Sequence, residues 1–163
     1  MNRIDKIIQS PQYVDLLKRL QVLETDRIFC RHDMSHFMSV ARLMWIEVLE
    51  QQLSADREVV YAAALLHDMG RVEQMEHGTP HEQASADLAA QILPYAGYNE
   101  QEVRQVTSAI LSHRKESTTS TLGRILYQAD KRSRNCWCCS ASNFCNWPEQ
   151  KKNKGIFRSG AEK

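Results

Sequence analysis

A chain of 163 residues, 42% of them apolar and 25% charged, is long enough to bury one globular core without staples. A formal net charge of +1 gives no electrostatic case for nucleic acid or a membrane as the main partner, and no apolar run approaches the roughly 20 residues that span a bilayer. The first residues, Met1 to Lys6, lack the apolar core of a signal peptide, and four of the five cysteines crowd into Cys136 to Cys145, so a reducing cytoplasm is expected rather than a disulfide framework.

The chain reads as helix after helix. Ser10-Pro11 is a cap followed by proline at the first helical position, opening a helix with Tyr13, Leu16, Leu17 and Leu20 on one face. After the polar break Thr25 to Arg31, a second helix runs from about Met34 to Glu50, with Phe37, Val40, Ala41, Met44, Trp45 and Val48 at helical spacing. Ser54, Asp56 and Glu58 start a third, which passes through Ala62-Ala63-Ala64-Leu65-Leu66 and is expected to stop at Gly70. Thr79-Pro80-His81-Glu82 reads as a cap, a first-turn proline and a capping-box carboxylate, opening a helix to Leu93-Pro94. Asn99 with Glu102 repeats that logic for a helix ending near His113. After the polar loop Ser117 to Thr121, a last helix from Leu122 to about Arg132 buries Ile125, Leu126 and Ala129. No alternating run of strand length and no repeat occurs, so the fold class is all-α, a single helical domain of about six or seven helices. Residues 1–25 are expected to be an N-terminal helix packing on the core, 26–134 the domain proper, and 135–163 a Cys/Trp-containing segment with a basic tail.

The chemistry lies in what these helices aim inward. His36 shares a face with Val40 and Leu43, one and two turns on. His67 and Asp68 end the most apolar helix, His113 follows Val106, Ala109 and Ile110, and Asp130 lies one turn beyond Leu126. A lone inward histidine is more often a satisfied core residue than a ligand. Unpaired carboxylates, however, are almost never buried. Four helices converging imidazoles and carboxylates have an economical common solution in a divalent cation.

The ordered set His36, His67-Asp68 and Asp130 resembles the H…HD…D signature of the HD superfamily of metal-dependent phosphohydrolases. The resemblance runs from about Asp26 to Arg134, with His36 in Asp33-Met34-Ser35-His36-Phe37, the doublet in Leu65-Leu66-His67-Asp68-Met69-Gly70-Arg71, and the last carboxylate in Gln128-Ala129-Asp130-Lys131. It implies that His36, His67, Asp68 and Asp130 bind one metal. Mixed N/O ligation of this kind suits Mn, Fe, Ni, Co or Mg better than a closed tetrahedral zinc site, with zinc still admissible. In two-metal members of the superfamily, histidines from the next two helices hold a second ion and the doublet's Asp bridges. His81 and His113 are the candidates, either as those ligands or as phosphate or water contacts. Arg114 stands where two-metal forms often carry a further histidine, which leaves the second site thinly liganded. His32 is expected ahead of its helix and outside the ligand set, and His77 in solvent. Arg71 and Lys131 are the favoured phosphate-binding cations, with Arg114 and Lys115 also near a ligand.

The resemblance therefore implies a phosphohydrolase in which Asp68, Arg71 and Lys131 serve the reaction and a metal-activated water attacks a nucleotide or small phosphorylated metabolite. The alternative is a non-catalytic HD module that binds metal and a nucleotide or protein partner. No nucleic-acid or membrane partner is expected, and a homo-oligomer is left open. Separately, Cys136, Cys139 and Cys145 form a C-x2-C-x5-C spacing that reads either as free cytosolic thiols packing the segment or as part of a zinc or iron–sulfur site, with Cys30 or Cys138 as a fourth ligand. Trp137, Phe144 and Trp147 suggest that this segment packs back onto the helices.

Overall fold

Side-chain caps set most of the helix starts. Asn2, Ser10, Asp33, Asp56, Asn99 and Ser120 each accept a backbone N–H of the first turn, satisfying donors that a helix cannot satisfy itself. The computed structural model describes residues 1–114 and 118–155; Lys115, Ser117 and the basic tail from 156 onward lie outside the described residues. Among the described residues the chain forms α1 (Arg3–Ile8), α2 (Pro11–Leu23), α3 (Met34–Glu50), α4 (Arg57–Leu66), α5 (Arg71–His77), α6 (His81–Ala96), α7 (Glu100–Ser112) and α8 (Thr121–Arg132), with no strand. The all-α class holds. All six helices expected from the sequence are present. The two added, α1 and α5, span six and seven residues, too few for a 3.6-residue pattern to show.

Helix α4 is the hub, packing against α1, α3, α6, α7 and α8. Its residues Val59, Val60 and Ala62 to Leu66 are all buried, and the three alanines let neighbouring helices come close. From the N-terminal side, Ile7, Tyr13 and Leu20 are fully buried against this core. The Tyr13 hydroxyl donates to the Leu65 carbonyl at 3.2 Å, satisfying an acceptor at the end of α4 that has no intrahelical partner. Arg3 pins α1 to Glu58, Glu102 and Asp56 at 2.5, 2.7 and 3.1 Å.

Three local expectations are corrected. Helix α4 ends at Leu66, and residues 67–70 form a turn that leads directly into α5. Gly70 has φ −69°, so it is no left-handed stop. It is glycine because a Cβ there would lie 2.4 Å from the Ser85 backbone nitrogen and 2.5 Å from the His81 carbonyl oxygen. Thr79 does not cap α6; Pro80 is the N-cap residue and no side chain bonds the helix end. Pro94 lies inside the last turn of α6, which closes at Gly97 with φ 95°, a true left-handed position.

Candidate metal centre

Four elements meet where α4 ends. The His67 Nδ1–H donates to the Ala64 carbonyl at 2.7 Å, which turns Nε2 toward the interior. Asp68, the next residue, is 1% exposed and projects one carboxylate oxygen to each side. Its Oδ2 stands 3.2 Å from His67 Nε2 and 3.8 Å from His36 Nε2. Its Oδ1 stands 3.3 Å from His81 Nε2 and 3.8 Å from His113 Nε2. From α8, Asp130 Oδ1 lies 3.5 Å from His36 Nε2 and 3.8 Å from His67 Nε2.

Two ligand groups result, each with its donor atoms within 4.8 Å of one another: His36, His67, Asp68 and Asp130, then Asp68, His81 and His113. The first set contains all four residues expected to hold one ion. The second unites Asp68 with the two histidines whose role the sequence left open. All six side chains are buried.

Each imidazole is oriented by its other nitrogen, as metal-ligating histidines are. His36 Nδ1 donates to Ser133 Oγ at 3.2 Å, and that hydroxyl donates to the Asp130 carbonyl at 2.7 Å. His81 Nδ1 donates to Gln74 Oε1 at 3.1 Å, and His113 Nδ1 to the Ile110 carbonyl at 2.5 Å. In every case Nε2 is the nitrogen presented to the cluster. His67 Nε2 and Asp68 Oδ1 are buried and have no hydrogen-bond partner. Orphaned buried polar atoms are costly, and a divalent ion in each group, in the first displacing the His67 proton, would satisfy both. The residues therefore fit the metal that the pattern implies.

The protonation states agree. Burial opposes ionisation of Asp68, but the neighbouring His67 and Arg71 charges outweigh it and hold the carboxyl well below the usual carboxylate range. Burial likewise opposes ionisation of Asp130, and His67, Lys131 and Arg134 hold it low. Burial lowers His36 to about 4 and His81 to about 3, so both are neutral at pH 7. His67 differs: burial disfavours its charge, yet Asp68 and Asp130 raise it to about 9. A metal entering the first group at pH 7 must displace that proton. Affinity there is expected to rise about tenfold per pH unit between about pH 6 and 8 and to flatten above about pH 9. Titration calorimetry in buffers of different ionisation enthalpy should register about one proton released per first ion at pH 7; no release would assign the charge elsewhere.

Some contributors were not foreseen. His32 stands ahead of α3 and outside both ligand groups, as expected, yet it is 3% exposed, with Nε2 3.6 Å from Asp68 Oδ2 and Nδ1 2.5 Å from Glu24 Oε1. Arg134, 6% exposed, donates from Nη2 to His36 Nε2 at 3.1 Å and to Asp130 Oδ1 at 3.3 Å. Ser133 and Arg134 sit three and four residues after Asp130, so helical spacing from that ligand was the signal available. His77 is 61% exposed at its side chain, as expected. Arg71 Nε lies 3.0 Å from Asp68 Oδ1, an ion pair by distance whose angle does not make a hydrogen bond. Lys131 pairs with Asp130 and lies 5.3 Å from the Trp147 ring centroid.

A match to the HD domain family covers residues 34–135, from the first turn of α3 to just past Arg134. The chain belongs to the HD domain family. An uncharacterized protein of Clostridium beijerinckii is 39% identical to it over 157 residues, 96% of this chain and 99% of that protein. Ribonuclease Y of Thermoanaerobacter pseudethanolicus is 30% identical over 119 residues, 73% of this chain, but the likeness spans only 21% of that enzyme. The crystal structure of a predicted HD superfamily hydrolase from an uncultured Thermotogales bacterium superposes with a TM-score of 0.62 at 25% identity, covering 94% of this chain and 88% of that one. The HD domain here thus carries a buried His/Asp cluster able to hold a divalent metal, on a fold shared with a protein described as a hydrolase.

Proposed function

We propose that this HD domain is a metal-dependent phosphohydrolase acting on a phosphate ester, either a nucleotide or a small phosphorylated metabolite. The supporting observation is the cavity onto which the cluster opens. It holds about 380 Å³, the size of a small-molecule site. His81, His113 and Asp130 line it together with the cations Arg71, Arg114, Lys131 and Arg134. A concave, cationic wall beside oxygen- and nitrogen-rich ligand groups suits a phosphate, whose charge those side chains offset.

His36, His67, Asp68 and Asp130 would hold one ion, and Asp68, His81 and His113 a second, with Asp68 shared. Mixed imidazole and carboxylate ligation favours Mn, Fe, Ni, Co or Mg. Such ions, when bound, polarise a phosphoryl oxygen and lower the pKa of a bound water. The chain's own groups do the rest. Ser133 and Gln74 hold the His36 and His81 rings in the tautomer that leaves Nε2 unprotonated and facing the cluster. Arg71 and Lys131, at the cluster's edge, bind phosphoryl oxygens and position the ester. A small substrate rather than a polymer is favoured by the modest volume of the cavity, about 380 Å³, and the near-neutral net charge. The five free thiols support a reducing, cytoplasmic setting.

The test is a panel of nucleotides and phosphate esters given to protein loaded with Mn, Co, Ni or Mg. Turnover of any member with a loaded ion supports the reading. Tight metal binding with no turnover of any would make this a non-catalytic module. With a substrate in hand, Arg71→Ala and Lys131→Ala should each raise KM about 10- to 100-fold, the weight of one charge-assisted hydrogen bond. Unchanged kinetics would return both to ordinary surface charges.

A further inference from the structure

The segment after α8 has little to hold it by packing. Of residues 135–155 only Ala141 is buried; Trp137 is 47% exposed and Phe144 75% exposed, contrary to the expectation that both pack onto the helices. The segment makes three isolated 3-10 turns, Cys136–Cys138, Ser142–Phe144 and Glu149–Lys151. Asn153 Nδ2 ties its far end back to the Arg132 and Arg134 carbonyls at 2.8 and 2.9 Å. A stretch this long with this little apolar burial ordinarily needs a covalent or metal staple.

The cysteines sort themselves accordingly. Cys30, from the loop before α3, and Cys136, Cys139 and Cys145 all line the cavity described above, and all four are half-buried, free thiols. Cys138 is exposed, stays outside the cavity, and donates its thiol to the Asn135 carbonyl at 3.6 Å. Burial raises the Cys30 thiol pKa, Arg134 opposes this, and Cys136 and Cys139 are near enough to add to it. The four thiols thus converge from two distant parts of the chain.

Their spacing discriminates between metals. Tetrahedral zinc with Zn–S bonds of about 2.3 Å draws its sulfurs to about 3.8 Å from one another. Among the described residues, no three thiols lie within 4.8 Å of one another, although the His/Asp groups do. A cubane cluster attaches each thiolate to a different iron, and so accepts sulfurs more widely spaced around a central void. The surrounding charge suits it too: Arg27, Arg134 and Lys152 line the same wall, and a cluster with four thiolate ligands is anionic.

We propose that Cys30, Cys136, Cys139 and Cys145 bind a [4Fe–4S] cluster that staples the 135–147 segment to the loop before α3 and closes one wall of the cavity shared with the metal centre. Cys138 is not a ligand.

The experiment uses the full chain prepared without oxygen, as isolated and after incubation with ferrous iron, sulfide and a thiol reductant. Iron alone does not decide, because the His/Asp groups also accept it; acid-labile sulfide does. About four sulfides per chain are expected, with visible absorption that dithionite bleaches. Cys30→Ser and Cys145→Ser should each lower the sulfide at least about fivefold, and Cys138→Ser should leave it unchanged. Asp68→Ala should also retain it, which separates this site from the metal centre and its proposed chemistry. Wild-type protein without labile sulfide under both conditions, or holding one zinc in its place, would overturn the proposal. So would sulfide that survives Cys30→Ser but not Cys138→Ser. The wild-type sulfide measurement decides even where a serine variant does not fold.

Discussion

Asp68→Ala is expected to empty both ligand groups at once and to lower kcat/KM by about three orders of magnitude, since metal stabilisation of the transition state supplies several kcal/mol. Among the described residues no other belongs to both groups. Its two oxygens face opposite sets of imidazoles, 3.2 Å from His67 on one side and 3.3 Å from His81 on the other. Removing Asp130 subtracts a ligand from the first group alone, and removing His81 from the second alone. Asp68→Asn keeps the shape and one acceptor while discarding the charge, so it should lose metal affinity with less disturbance of the fold. The comparison is made by metal content, turnover and circular dichroism on the same preparations. A folded Asp68→Ala protein that keeps two ions, or activity within tenfold of wild type, would refute the bridging role.

Gly70→Ala should be among the most destabilising single-methyl changes in the chain. The added Cβ would stand 2.4 Å from Ser85 N, 2.5 Å from His81 O and 2.8 Å from Ala84 C. All three are backbone atoms in the first turns of α6, and none can rotate out of the way. Gly70 N–H also donates to Ser85 Oγ at 2.8 Å, which locks the turn against that helix. Relief requires α6 to move, and α6 carries His81. Overpacking of this kind costs about 1–3 kcal/mol or more, or roughly 2–4 °C of Tm per kcal/mol in a domain of this size. The second ligand group should suffer more than the first, since His36, His67 and Asp130 lie on other elements. A thermal melt and the two ion affinities measure this. A Tm within 1–2 °C of wild type, on the order of half a kcal/mol, would show that the contact yields cheaply.

The helices were legible because caps and apolar periodicity act locally: Asn99 and Glu102 form the capping box their spacing announced, with bonds of 3.0 and 2.8 Å. The first ligand group was legible because an inward carboxylate stands out against an apolar face, as Asp130 does beside Leu126 and Ala129. What escaped was set by contacts between elements. Gly70 looked like a helix stop, yet its size answers to α6 lying across it. His32 stands ahead of α3 as expected, but its approach to Asp68 depends on Glu24 in the turn after α2, which fixes its ring and backbone N–H together. Arg134 was assigned no role, and it is buried against His36 Nε2 and Asp130 Oδ1. The sequence left Cys30 and Cys138 as equal candidates for a fourth thiol; only contacts between elements place Cys30, and not Cys138, on the cavity with Cys136, Cys139 and Cys145.

The most direct test of the metal-centred account is phosphate release by chelator-stripped protein as Mn or Co is added back in known equivalents. Expected are no release from the stripped protein, recovery that climbs to a plateau at two ions per chain, and release lower by about three orders of magnitude at any loading in Asp68→Ala. Release that is independent of added metal, or full metal loading with no release from any ester tested, would contradict it.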